Sequence, residues 1–173
     1  MKYTPLILAA ILALGACNRK EAPSEADPRI TERITAGTPE SPGMPVKKAR
    51  ETGKPGEEIV VTGRIAGAKH PFSGEYATLI LADDSLRTCD RIPGDTCPTP
   101  WDACCVESET IQASRLLVQL LGTNGLPLEA SIKGVGGLKE LDEITVVGSV
   151  DPASTSENMI LNAAKNHRAS PAR

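Results

Sequence analysis

The sequence predicts an all-β fold, a small barrel or sandwich of short strands, on three observations. Apolar residues recur as short β-branched runs without a sustained helical period. Glycine, proline, asparagine and aspartate punctuate the chain between these runs. The part that carries the runs, residues 57–167, is about 110 residues long, which suits one small domain and no more.

Glu57–Ala66, EEIVVTGRIA, is the first predicted strand, with Gly63 as a bend. Tyr76–Ala82, YATLILA, is the second, bounded by Ser73-Gly74 and Asp83-Asp84. A short helical piece is expected over Glu109–Ser114. Arg115–Gly122 and Leu126–Lys133 flank Asn124-Gly125, a pair that favours the left-handed backbone of a tight turn, so they are expected to form a hairpin. Leu138–Asp142 reads as a turn, Ile144–Val150 as a strand with an internal glycine, and Met159–Ala164 as the last strand. The GVGG run at Gly134–Gly137 has no following Lys-Ser or Lys-Thr helix start and is expected to be a tight connection, not a phosphate loop.

Two of these stretches carry a resemblance. VVTGRI at Val60–Ile65 and LKELDEITVVGSV at Leu138–Val150 resemble the first and fourth strands of OB-fold domains of the anticodon-binding-like type. There a valine-glycine-valine strand opens the barrel and an acidic turn leads into the fourth strand. The resemblance covers roughly residues 57–165 and implies an all-β, OB-like five-stranded barrel with a long disulfide-rich loop. It also implies single-stranded nucleic acid as a ligand class. Such binding needs a positive groove and aromatic platforms, whereas residues 57–167 hold sixteen Asp and Glu against eight Lys and Arg, a net charge of −8. Their aromatics are Phe72, Tyr76 and Trp101. Nucleic acid is therefore only the third expectation for function.

The N-terminus expects a different fate. Met1 and Lys2 precede an apolar stretch from Leu6 to Leu14, about half the length that spans a bilayer, so residues 1–16 read as a cleaved signal. LGAC at Leu14–Cys17 resembles the lipobox of bacterial lipoproteins, which implies that Cys17 is lipidated and becomes the mature N-terminus. Asn18 after it, where inner-membrane retention uses Asp, implies the outer membrane facing the periplasm. Residues 17–56 hold Pro23, Pro28, Pro39, Pro42, Pro45 and Pro55 with little apolar content and are expected to be a disordered tether. As a flexible coil it would reach roughly 30–40 Å. Its cluster Lys47, Lys48, Arg50 and Lys54 reads as solvated, and residues 168–173 as a disordered tail.

The remaining chemistry is cysteine chemistry. CDRIPGDTCPTPWDACC, from Cys89 to Cys105, holds four of the five cysteines, with gaps of seven residues, six residues and none. Zinc sites use paired C-x₂₋₄-C knuckles, because two thiolates on one turn can share an ion, and no knuckle is present. The C-x-x-C of thioredoxin-like proteins is also missing. Outside the cytoplasm an even set of cysteines favours disulfides. Cys104 and Cys105 point to opposite sides of an extended segment, which leaves the nested pairs 89–105 and 97–104, favoured on loop geometry, or the crossed pairs 89–104 and 97–105. Each bridge would stabilise by roughly 2–4 kcal/mol. A metal held by Cys89, Cys97, Cys104 and Cys105, with soft ions such as copper(I) tolerating the odd spacing, is the alternative. Asp83, Asp84, Asp90, Asp95 and Asp102 near these cysteines lack the spacing of a calcium loop and are expected to be solvated. His70 and His167 have no partner set by spacing.

No nucleophile elbow, zinc-protease helix or P-loop is present, so the expectation is a non-catalytic binding or structural module needing no cofactor. Its expected partners are the membrane, through the N-terminal lipid, and an envelope protein or polymer. A cysteine-based metal-binding or redox protein is the second expectation. The cysteine loop, with Trp101, is the candidate partner surface.

Overall fold

A computed structural model describes residues 26–37 and 41–168. Five strands close into a barrel: β3 (Glu58–Ile65), β4 (Thr78–Ala82), β5 (Arg115–Gln119), β6 (Glu143–Val150) and β7 (Ile160–Arg168). Two short strands, β1 (Ile34–Ala36) and β2 (Met44–Pro45), lie beside it. Around the barrel the order is β3-β4-β5-β7-β6 and back to β3, with β5 and β7 parallel and the other neighbours antiparallel. This is the OB-like five-stranded barrel that the strand motifs implied.

Alternation of side chains builds the interior. Ile59, Val61 and Ile65 of β3, Leu79 and Leu81 of β4, Leu116 and Val118 of β5, Ile144, Val146 and Val150 of β6, and Leu161 of β7 are buried. Each such aliphatic side chain contributes about 1.5–3 kcal/mol on burial. Gly63 stands where β3 turns under the N-terminal segment. A Cβ there would lie 2.5 Å from the carbonyl oxygen of Ala82 and 2.9 Å from Val46 Cγ2. At Gly148 a Cβ would lie 2.3 Å from the carbonyl oxygen of Asn162, at the bulge where β6 and β7 change register.

The structure corrects the tether. Within residues 17–56, the described ones fold onto the barrel through α1 (Pro28–Thr31), β1, β2 and α2 (Val46–Thr52). Ile30, Val46 and Ala49 are fully buried. β1 extends the sheet beside the end of β7, with Ile34 opposite Asn166, and β2 pairs with β3. Two of the prolines that suggested disorder, Pro28 and Pro45, stand at helix starts instead. Pro28 follows Asp27, whose carboxylate caps α1 through the Arg29 N–H, and Pro45 is the N-cap residue of α2. Arg50 is not a free cation either: its guanidinium donates to the carbonyls of Arg115, Ser156 and Glu157 at 3.0, 2.6 and 3.2 Å. Of the expected tail 168–173, Arg168 instead ends β7 opposite Ile144 and donates to Asp142 at 2.8 Å; the signal segment 1–16, Cys17 and residues 169–173 lie outside the described residues.

The predicted second arm of the hairpin is also corrected. Gly125 takes the left-handed turn and Leu121 bridges to Pro127, but Leu126–Lys133 forms no strand. Pro127 has no N–H to give a ladder. Leu128, Ile132, Val135 and Leu138 turn inward instead and join the barrel core. The short helix expected over Glu109–Ser114 is α3 (Ser108–Ala113), and GVGG is a tight 3-10 connection with Gly134, Gly136 and Gly137 at positive φ.

Candidate thiol site

The connection from β4 to β5 is the long loop, and it forms a cap with a small core of its own. Leu86 and Ala103 pack with Ala66 and Ala82 of the barrel wall, and Trp101, Val106, Ile111 and Leu141 close over them. Backbone bonds fold the cysteine segment back on itself: the Cys89 N–H donates to the Asp102 carbonyl at 2.8 Å and the Asp90 N–H to the Pro100 carbonyl at 2.8 Å. The Gly67 N–H donates to the Trp101 carbonyl at 2.8 Å, and the Trp101 indole N–H to the Lys69 carbonyl at 3.0 Å. Trp101, the predicted partner-surface residue, is thus part-buried and fastens the cap to the barrel.

That course brings together three thiols that are far apart in sequence. The sulfurs of Cys89, Cys97 and Cys104 all lie within 4.8 Å of one another, with Cys89 and Cys104 at 3.5 Å. Cys105 Sγ is 3.8 Å from Cys104 Sγ, outward of the three. Cys89 is buried, Cys97 half-buried, and Cys104 and Cys105 are exposed. All four are free thiols. The close contact between Cys89 and Cys104 belongs to the crossed pairing, not the nested one, because the Cys89–Asp102 backbone bond sets Cys89 beside the segment that leads to Cys104.

The three thiols differ in acidity. Burial pushes the Cys89 thiol up to about 12, and the neighbouring sulfurs of Cys104 and Cys97 add to the rise. Cys97 is held below the ordinary thiol value, chiefly by the Thr99 hydroxyl 3.4 Å from its sulfur. At Cys104 the contact with Cys89 favours the thiolate, but Cys105 and burial together outweigh it and the thiol is raised.

The acidic residues of the loop are hydrogen-bonded or ion-paired, although Asp84, Asp90 and Asp95 stay exposed as the sequence suggested. Arg64 of β3 holds Asp90 at 2.8 Å, and Asp90 also accepts from the Thr88 hydroxyl. Arg91 pairs with Asp84. Asp95 accepts from the Cys97 N–H at 2.7 Å, and Asp102 from the Ala103 N–H at 2.8 Å. Asp83 accepts from the Lys47 N–H at 2.8 Å and from Ser85. Among the described residues the group able to hold a metal ion is therefore all sulfur: Cys89, Cys97 and Cys104. Sequence spacing could not show this, since the convergence is made by backbone bonds across the loop.

Elsewhere, an open groove of about 680 Å³ crosses β4 and β5, lined by Tyr76, Thr78, Leu117, Gln119 and Leu126 with Arg29 and Glu129 at its margin. Tyr76 and Leu126 are exposed. Arg29 is paired with Asp27 at 2.6 Å, so the groove carries one aromatic ring and no unpaired cation among these lining residues. His70 is exposed in the β3–β4 connection, and His167 sits in β7 opposite Thr145. No protein-family model matches the chain, and no curated protein is similar to it at a significant level.

Proposed function

We propose that the chain is a lipid-anchored protein of the cell envelope, attached through Cys17, whose OB-like barrel is a non-catalytic binding module that takes its ligand at the thiol cap. The convergence of Cys89, Cys97 and Cys104 within 4.8 Å, on a loop fastened to the barrel from both sides, carries the reading. A connection of this length with so little regular structure, a 3-10 turn at Cys89–Arg91 and α3, is uncommon in a compact domain unless it serves a function. This one has its own core and two ion pairs, Arg64 with Asp90 and Arg91 with Asp84. The lipid reading rests on LGAC at Leu14–Cys17.

The test is made on the full chain expressed in a bacterial host. The protein fractionates with membranes, and Cys17→Ser releases it to the soluble envelope fraction. Alkylation of the isolated wild-type protein under denaturing conditions, without reductant, followed by mass measurement, counts four thiols. A soluble wild-type protein removes the anchor from the proposal. A mass four protons lower with no alkylated cysteine replaces the binding cap by a disulfide-stapled one, the reading that the 3.5 Å contact of Cys89 with Cys104 favours second.

A further inference from the structure

We propose that Cys89, Cys97 and Cys104 form a three-thiolate site for copper(I), with Cys105 as the outer thiol through which the ion enters and leaves. The proposal rests on the reading of the cap as the ligand-binding end of the barrel and names its ligand.

Geometry comes first. Three thiolates bound at about 2.3 Å to a common ion stand about 3.8–4.0 Å apart. The cluster has one pair at 3.5 Å and all three within 4.8 Å, so an ion at its centre needs side-chain rotations and no rearrangement of the loop. A covalent S–S bond of about 2.05 Å would instead require that pair to close by more than an ångström.

Donor chemistry then selects the ion. Zinc in a structural site takes four ligands in a tetrahedron. Among the described residues no carboxylate joins the three sulfurs within 4.8 Å, and Asp90, Asp95 and Asp102 already accept hydrogen bonds from Arg64 and Thr88, the Cys97 N–H and the Ala103 N–H. Neither histidine belongs to the group. What remains is a soft, three-coordinate, all-thiolate set, and soft thiolates select copper(I). The fourth sulfur stands 3.8 Å from Cys104 on the open side. It can take a share of the ion while Cys104 still holds it, which is the arrangement that ligand exchange requires. Cys89, 3 % exposed, is the buried end of the set and anchors the ion from beneath.

No electron moves in this step. Copper arrives as copper(I) from a donor thiolate or a chelator, three Cu–S bonds form as the donor's break, and each coordinating thiol releases its proton to water. Coordination would also protect the thiolates of Cys89, Cys97 and Cys104 from oxidation in the envelope location proposed above.

The experiment titrates the reduced, full-length protein anaerobically with copper(I), in competition with a chromophoric copper(I) chelator, and separately with zinc(II). One copper(I) per chain is expected, with three sulfurs in the X-ray absorption spectrum. Cys97→Ser and Cys104→Ser each weaken binding by about 100-fold or more, while Cys105→Ser changes affinity by less than about 10-fold and slows transfer to the chelator. Cys89→Ser is expected to behave like Cys97→Ser. If its circular dichroism shows that it has not folded, the half-buried Cys97→Ser and exposed Cys104→Ser carry the result. Zinc bound as tightly as copper with four sulfurs, or loss of copper affinity in Cys105→Ser as deep as in Cys97→Ser, overturns the three-thiolate site. Four countable thiols with no copper(I) bound overturns the copper proposal alone, whereas no countable thiols overturns the thiol cap itself.

Discussion

Arg64 on the first barrel strand holds Asp90, the residue after the deepest cysteine, at 2.8 Å, and both side chains are mostly buried. The pair joins barrel to cap. Burial would raise the Asp90 carboxyl, but the hydrogen bonds from Thr88 and Arg64 outweigh it and hold it below the ordinary carboxylate value. Arg64→Met is expected to destabilise the protein by about 1.5–3 kcal/mol, the worth of a hydrogen bond to a charged group. It should also raise the alkylation rate of Cys89 more than that of Cys105. Equal acceleration at both would show that the pair does not hold the cap in particular.

Asp83 makes a pH prediction. It is 6 % exposed, and burial favours its neutral form. The Lys47 N–H and Ser85 bonds outweigh that and keep its pKa low, so Asp83 caps α2, which has no side-chain cap of its own. A group whose folded pKa lies below its unfolded one contributes its full stability above the unfolded value, about 3.9. The contribution is lost as pH falls through the lower folded value. Urea midpoints should therefore be insensitive to this group from pH 7 to 5 and fall below about pH 4. Asp83→Asn should be less stable at pH 7 and show a shallower acid decline.

The N-terminal segment predicts differently as an arm than as a tether. Ile30→Ala and Val46→Ala empty fully buried positions and should each cost about 2–4 kcal/mol in chemical denaturation. Unchanged stability in both would return the segment to the status of a linker.

Two glycines differ sharply in the space around them. Gly63→Ala forces a Cβ against the Ala82 carbonyl and should cost about 1–3 kcal/mol or more, as overpacking does. Gly74→Ala meets nothing within 4 Å and should be neutral or slightly stabilising. Thermal unfolding of both variants measures the contrast.

The five barrel strands were legible because each buries one face, so Ile59, Val61 and Ile65, or Leu79 and Leu81, alternate with half-buried residues as the pleat demands. The arm was not, because its prolines were read by composition. Asp27-Pro28, an N-cap residue followed by proline at the first helical position, was the signal that could have found α1. The failed strand after Asn124-Gly125 was legible in principle from Pro127. The four cysteines were visible as a group. Which three meet was not, since a bond such as Cys89 N–H to Asp102 carbonyl leaves no periodic trace in the sequence.

The pairing of β1 with β7 sets a timetable. Ile34 lies opposite Asn166, so the earliest described strand of the chain has for its neighbour the latest. Synthesis runs from the N-terminus, so β1 can find this neighbour only after the other barrel strands and Asn166 of β7 have been made. The arm thus joins two delays: β2 finds its partner in β3, the next strand of the chain, whereas β1 depends on the far end of the barrel.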